Sequence, residues 1–197
     1  GNGVTQFIVD MKSQAWRTEK DVNRTVWQHW VSIVKPDKAT SKTAFLFISG
    51  GGNGGEPPPS ADERTLQIAA ATNSIAVEVR MVPNQSLVFH GDGRERKEDD
   101  LIGYTWDQFL KTGDETWPAR LPMVKSAVRA MDCVQELLAD QVVGNSCTPS
   151  ELMFAIVRSA LHRLDDAAPR QASLLRLALG WGNEDEIEKS DRPVKLL

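Results

Sequence analysis

The chain has 197 residues, 41% hydrophobic and 25% charged, with a formal charge of −4. That is the composition of one ordinary globular domain, and its negative balance argues against nucleic acid or an anionic membrane as partner. No apolar run approaches the roughly 20 residues of a membrane span, the opening G-N-G-V-T has no signal-peptide pattern, and Cys133 and Cys147 form neither a disulfide framework nor a zinc site.

Val4 to Val9 is a short β-prone segment. Val26 to Val34, V-W-Q-H-W-V-S-I-V, reads as a second strand. Its period of two puts Trp27, His29, Val31 and Ile33 on one face and Val26, Trp30 and Val34 on the other. These two segments form an antiparallel entry into a sheet. Ala44 to Ser49 then runs into Gly50 to Gly55, which predicts a buried central strand with Phe45 in the core and a glycine loop at its C-terminal end. Pro57, Pro58 and Pro59 keep the next stretch out of a helix. Ser60 with Glu63 is a capping-box pattern that opens a helix to Thr72. Ile75 to Val82 follows as a strand, so the order predicts a right-handed crossover and a parallel pair.

Pro83 to Asp100 reads as a long, exposed polar loop, and Leu101 to Leu110 as helical. Pro122 to Asp140 is the clearest helix, with Val124, Ala127, Val128, Met131, Val134 and Leu138 as its buried stripe. Cys133 lies within that helix as a small core residue. Gln141 to Val143 is a stub of strand. Thr148 starts another helix, with Met153, Val157, Ala160, Leu161 and Leu164 on one face, and a last helical piece runs from about Pro169 to Leu179. Residues 1–140 thus form an α/β portion, and 141–197 a helical C-terminal segment.

Chemistry concentrates in the glycine cluster, which admits three readings. Gly50 to Gly55 satisfies G-x-G-x-x-G, with Glu78 near the place of a ribose-binding acid, but that fingerprint needs a helix beginning within the glycines. The second reading is an oxyanion hole, with backbone amides after the third strand of an α/β-hydrolase-like sheet. The third is a turn without chemistry. Gly144-Asn145-Ser146-Cys147-Thr148 is either a nucleophile elbow with Thr148 in the place of the last glycine or a helix-capping loop. His29, His90 and His162 are too scattered for a metal site. His29 reads as structural, while His90 and His162 read as surface residues. Glu98, Asp99 and Asp100 are available carboxylates in a solvated run.

Five stretches carry a resemblance: V-W-Q-H-W-V-S-I-V-K-P, F-L-F-I-S-G-G-G-N, V-R-M-V-P-N-Q, E-D-D-L-I-G-Y-T-W-D-Q-F and T-W-P-A-R-L-P-M-V-K-S-A-V-R-A-M-D. Between about Trp16 and Leu138 the chain resembles the PhoPQ-activated pathogenicity-related protein family. The resemblance implies an α/β-hydrolase-like fold, a bacterial periplasmic or secreted setting, and acyl-hydrolase chemistry on a small ester or amide. Gly51 and Gly52 would hold the oxyanion and Ser146 would be the nucleophile. The family's G-x-S-K-R-G-W elbow is matched only at Gly144 and Ser146, and the later strands, acid and histidine have no counterpart.

The expected fold is therefore α/β: the front half of a hydrolase-like sheet with crossover helices and a helical end. The expected function is a hydrolase-related protein, truncated and catalytically impaired, that needs no cofactor or metal. Two other classes stand beside it. One is a non-catalytic binding protein that uses loop 83–100 and self-associates through an exposed sheet edge. The other is a nucleotide binder at Gly50 to Gly55.

Overall fold

A computed structural model describes residues 3–139 and the backbone of residues 153–158. In chain order the elements are β1 (Val4–Ala15), β2 (Val26–Pro36), β3 (Thr43–Ile48), α1 (Glu63–Thr72), β4 (Ala76–Val79), β5 (Leu87–Val88), β6 (Glu95–Arg96), α2 (Glu98–Thr112), α3 (Arg120–Ala139) and β7 (Met153–Arg158). The main sheet is mixed, in the order β1-β2-β4-β3-β7, and β5 and β6 make a small separate hairpin. β1 and β2 are antiparallel, as are β2 and β4, while β3 runs parallel to β4. The antiparallel entry and the strand–helix–strand crossover read from the sequence are both present.

Period-two alternation explains how the sheet divides its two faces. Trp27, Val31 and Ile33 of β2, Ala44, Leu46 and Ile48 of β3, and Val77 and Val79 of β4 enter one core. α3 covers this face through Met123, Ala127, Ala130, Val134 and Leu138. Val34 and Ala76 point the other way, where they meet Ala61 and Ala69, with Phe45, Leu66 and Ile68 packed at the margin. α1 covers that second face. Val26, at the open end of β2, remains exposed.

Several expectations need correction. The central and most buried strand is β4, buried at all four positions, because β2 and β3 flank it and both faces are covered. In β3 only Ala44, Leu46 and Ile48 are buried, and Phe45 is half-buried. α1 is capped by Asp62, not Ser60: the Asp62 carboxylate accepts from the Arg64 N–H at 3.0 Å, and its backbone is extended as an N-cap requires. The buried stripe of α3 is turned by about one residue, which leaves Val124 and Val128 half-buried.

The segment 83–100 is not simply an exposed loop. Asn84, Gln85, Leu87, Phe89 and Arg96 are buried. Phe89 is the hub of an aromatic cluster, with ring centroids 4.6 Å from Tyr104, 6.1 Å from Trp117 and 6.2 Å from Trp16. The apolar L-V-F run drives this burial, and exposure is confined to the turn at residues 90–95 and the start of α2. The expected helix after Thr148 is also corrected at Met153–Arg158, which is a strand parallel to β3. Its residues F-A-I-V suit a strand, and the pairing satisfies the β3 backbone groups that β4 leaves free. Gln141 to Val143, Gly144 to Thr148 and the helical piece from Pro169 lie outside the described residues.

Candidate functional site

The glycine loop leaves β3 at the C-terminal end of the parallel pair, the edge where open α/β sheets place ligands. The ladder continues past β3: Ser49 N–H donates to Val79 O at 2.9 Å, and Met81 N–H donates to Gly50 O at 2.9 Å. Gly51 has φ 115° and Gly54 has φ 75°, conformations that glycine adopts without strain. Gly52 forms a bridge with Gln85, Asn53 N–H donates to Gln85 O, and Asn53 Nδ2 donates to Ser86 O at 3.0 Å. The loop is thus fixed along one side by residues 81–86. Its other side is open: Gly51 and Gly52 are exposed, and neither amide donates a hydrogen bond among the described residues.

Two features weigh against the dinucleotide fingerprint. α1 begins only at Glu63, beyond Pro57 to Pro59, so no helix N-terminus opens within the glycines. Glu78 is also engaged internally: it is 5% exposed, accepts from Ser49 Oγ at 2.8 Å, and pairs with Arg80 at 3.0 Å.

Gln85, which the sequence reading passed over, and Glu98, which it placed in a solvated run, meet beside the loop. The buried Gln85 side chain donates to Glu98 Oε1 at 2.5 Å and accepts from the Glu98 N–H at 2.7 Å. This reciprocal pair ties the start of α2 to the strand segment that holds the glycine loop. Glu98 has φ 45° and Met81 has φ 64°, uncommon conformations for residues with a Cβ. Of the acidic run, Glu98 is occupied by Gln85 and Asp100 pairs with Arg94 at 3.2 Å. Only the contact between Gln85 and Glu98, thirteen positions apart, reveals the arrangement.

A serine–histidine contact does exist, but on the sheet face covered by α3. His29 Nε2 lies 2.9 Å from Ser13 Oγ and 3.0 Å from Ser126 Oγ, and Nδ1 lies 3.0 Å from Arg80 O. The carbonyl can only accept, so Nδ1 carries the proton and Nε2 accepts. Ser126 Oγ donates to Pro122 O at 2.8 Å, which leaves Ser13 to donate to Nε2. His29 and Ser126 have no exposure, and burial lowers the His29 pKa to about 4. A base that weak, closed to substrate, is a structural clamp joining β1, β2 and α3, as the sequence reading of His29 expects. A register irregularity between Lys12 and Gln14 brings Ser13 into place, and no sequence pattern announces it. Ser126 could have been read as a polar residue within the buried stripe of α3.

His90 is exposed in a turn, whereas Ser146 and His162 lie outside the described residues. Of the residues proposed for the site, the described residues include Gly51 and Gly52. Among the described residues no cluster of His, Cys, Asp and Glu could hold a metal, and no helix is long and apolar enough to cross a membrane.

Comparison with known proteins adds the ancestry. Autocrine proliferation repressor protein A of Dictyostelium discoideum is 42% identical over 134 residues, which is 67% of this chain and 27% of that protein. The chain thus spans about a quarter of the length of the curated relative that it matches. No solved structure matches. A family model described as PhoPQ-activated pathogenicity-related protein matches residues 1–146, a range wider than the motifs at Trp16 to Leu138 and ending at Ser146. On that match, which covers most of the 197 residues, the chain belongs to the PhoPQ-activated pathogenicity-related protein family.

Proposed function

We propose that the chain carries the oxyanion-holding half of an α/β-hydrolase-like acyl-transfer site and is catalytically impaired in this form. One observation carries the reading: two exposed amides, Gly51 and Gly52, with no hydrogen-bond acceptor among the described residues, at the C-terminal end of a parallel strand and ahead of the crossover helix. The loop after the third strand is where an α/β-hydrolase supplies oxyanion donors. Such donors stabilise the charge that develops on an ester or amide carbonyl oxygen. Ser146, at the end of the family match, is the proposed nucleophile. The impairment rests on the base. His29 is a buried clamp, and the ring of His90, exposed in a turn, makes no hydrogen bond with a serine or a carboxylate among the described residues.

The test is turnover of p-nitrophenyl acetate by the purified chain and by Ser146→Ala. Background rates in both are expected. Turnover that disappears in the alanine variant would show a working enzyme and overturn the proposed impairment.

A second reading has its own support. The Dictyostelium relative is named for repression of proliferation, a role that a binding protein can fill without turnover. On that reading the exposed turn at residues 90–95 and an open sheet edge are the contact surfaces, and the chain self-associates. Sedimentation would show a concentration-dependent dimer if this is right and a monomer at all concentrations if it is not.

A further inference from the structure

The arginines of the β1–β2 connection and of the stretch between β4 and α2 differ in one respect. Arg17 pairs with Asp114 at 2.8 Å, Arg80 with Glu78 at 3.0 Å, Arg94 with Asp100 at 3.2 Å and Arg96 with Asp92 at 2.6 Å. Arg24, in the β1–β2 connection, is exposed and makes no ion pair or side-chain hydrogen bond among the described residues. Yet the backbone on either side of it is held. Asn23 N–H donates to Val88 O at 3.0 Å, Asn23 Oδ1 accepts from Val88 N–H at 2.9 Å, and Trp16 N–H donates to Thr25 O at 2.8 Å.

The guanidinium lies against the glycine loop. A Cβ built on Gly54 would stand 3.7 Å from Arg24 Nη2, and the positive φ of Gly54 also disfavours a side chain there. The loop is held on its own side, because Trp30 Nε1 donates to Gly55 O at 2.9 Å. An unpaired guanidinium on a held stretch of backbone therefore stands next to a loop with unengaged amides. A guanidinium fork matches a planar carboxylate, and backbone amides in a glycine turn favour the same charge.

We propose that Arg24 and the glycine loop form an anion subsite that selects substrates bearing a free carboxylate. The proposal names the substrate class of the acyl-transfer site above, and in that respect rests on that reading. In substrate terms, the Arg24 guanidinium takes the carboxylate while the Gly51 and Gly52 amides face the acyl oxygen. A neutral ester of the same length lacks the first contact.

The test needs no catalysis. Succinate is titrated into the 15N-labelled chain at constant ionic strength, with amide shifts followed at Gly51, Gly52 and Gly54, and succinamide serves as the neutral control. Saturable shifts with succinate alone are expected, with affinity reduced about tenfold or more in Arg24→Gln, the usual loss for one charge-assisted contact. Arg24→Lys should restore part of the affinity, since it keeps the charge and loses the fork. Unsaturable shifts, equal responses to succinamide, or the same affinity in Arg24→Gln would each overturn the subsite and leave Arg24 an ordinary solvated charge. Ser146 takes no part in this binding, so ester turnover that disappears in Ser146→Ala, found together with Arg24-dependent succinate binding, would overturn the proposed impairment and leave the subsite standing.

Discussion

Acid should weaken this fold well before its carboxylates titrate, and His29 is the reason. In the folded chain its pKa is lowered to about 4 by burial, from an ordinary value of 6.5. The ring contacts two serine hydroxyls and a backbone carbonyl, with Trp27 6.3 Å away between centroids. Among the described residues no carboxylate pairs with it to offset a positive charge. The folded state therefore resists a proton that the unfolded chain accepts, and stability falls wherever the unfolded state binds more protons. Stability is full above pH 6.5, declines as pH falls from 6.5 to 4, and loses nothing further to this group below 4. A difference of 6.5 against about 4, at about 1.4 kcal/mol per pH unit, makes the whole loss about 3 kcal/mol. That is a large share of the 5–15 kcal/mol typical of a domain.

The window is separable from other titrations. Asp114 is held at about 2 by Thr116 and Arg17, and the Asp92 carboxyl is held low by Arg96. Both have ordinary values of 3.8, so their stabilising contributions fade only as pH falls below that. The assay is urea denaturation followed by tryptophan fluorescence at pH 7, 6, 5 and 4.5, on the parent and on His29→Gln, which cannot titrate. The parent should lose roughly 2 kcal/mol or more between pH 7 and 4.5, and the variant, less stable at pH 7, should lose far less. Parallel pH profiles in the two proteins would refute the reasoning.

Two further predictions concern packing. Leu46→Ala should cost about 3–4 kcal/mol and Phe45→Ala only about 1–2 kcal/mol, because Leu46 is fully buried while Phe45 lies half-buried beside Phe47; equal losses in urea denaturation would contradict the assignment of faces. Gly103→Ala should stabilise α2 by about 0.5–1 kcal/mol, since its new methyl meets nothing within 4 Å. Gly91→Ala should destabilise by about 1 kcal/mol, because its Cβ would stand 2.9 Å from the Tyr104 hydroxyl, and that ring is held between Arg96 and Phe89. Thermal melts of the two variants should move in opposite directions.

What the sequence revealed was mostly local. The inward set Trp27, His29, Val31 and Ile33 was legible because strand periodicity is a property of neighbouring residues. The crossover from β3 through α1 to β4 was legible for the same reason, combined with a rule of chain handedness. Strand order is a tertiary property, and it makes β4 rather than β3 the middle of the sheet. Met153–Arg158 fits both helical and strand spacing, and only the open edge of β3 decides between them. Gly51 and Gly52 stood out as glycines, but the lock between Gln85 and Glu98 and the neighbour Arg24 depend on contacts between distant loops. Ser13 reaches His29 through a strand irregularity that leaves no mark in composition or spacing.

The central claim, that the Gly51 and Gly52 amides hold an oxyanion, is tested most directly with a stable mimic of a tetrahedral acyl intermediate. The mono-p-nitrophenyl ester of methylphosphonate carries that charge and shape and is not turned over as an ester substrate. Titrated into the 15N-labelled chain, it should produce saturable shifts of the Gly51 and Gly52 amide resonances, larger than those at two exposed glycines outside the loop, Gly93 and Gly103. Saturable binding that leaves both amides unmoved, or no saturable binding at millimolar concentration, would contradict the claim.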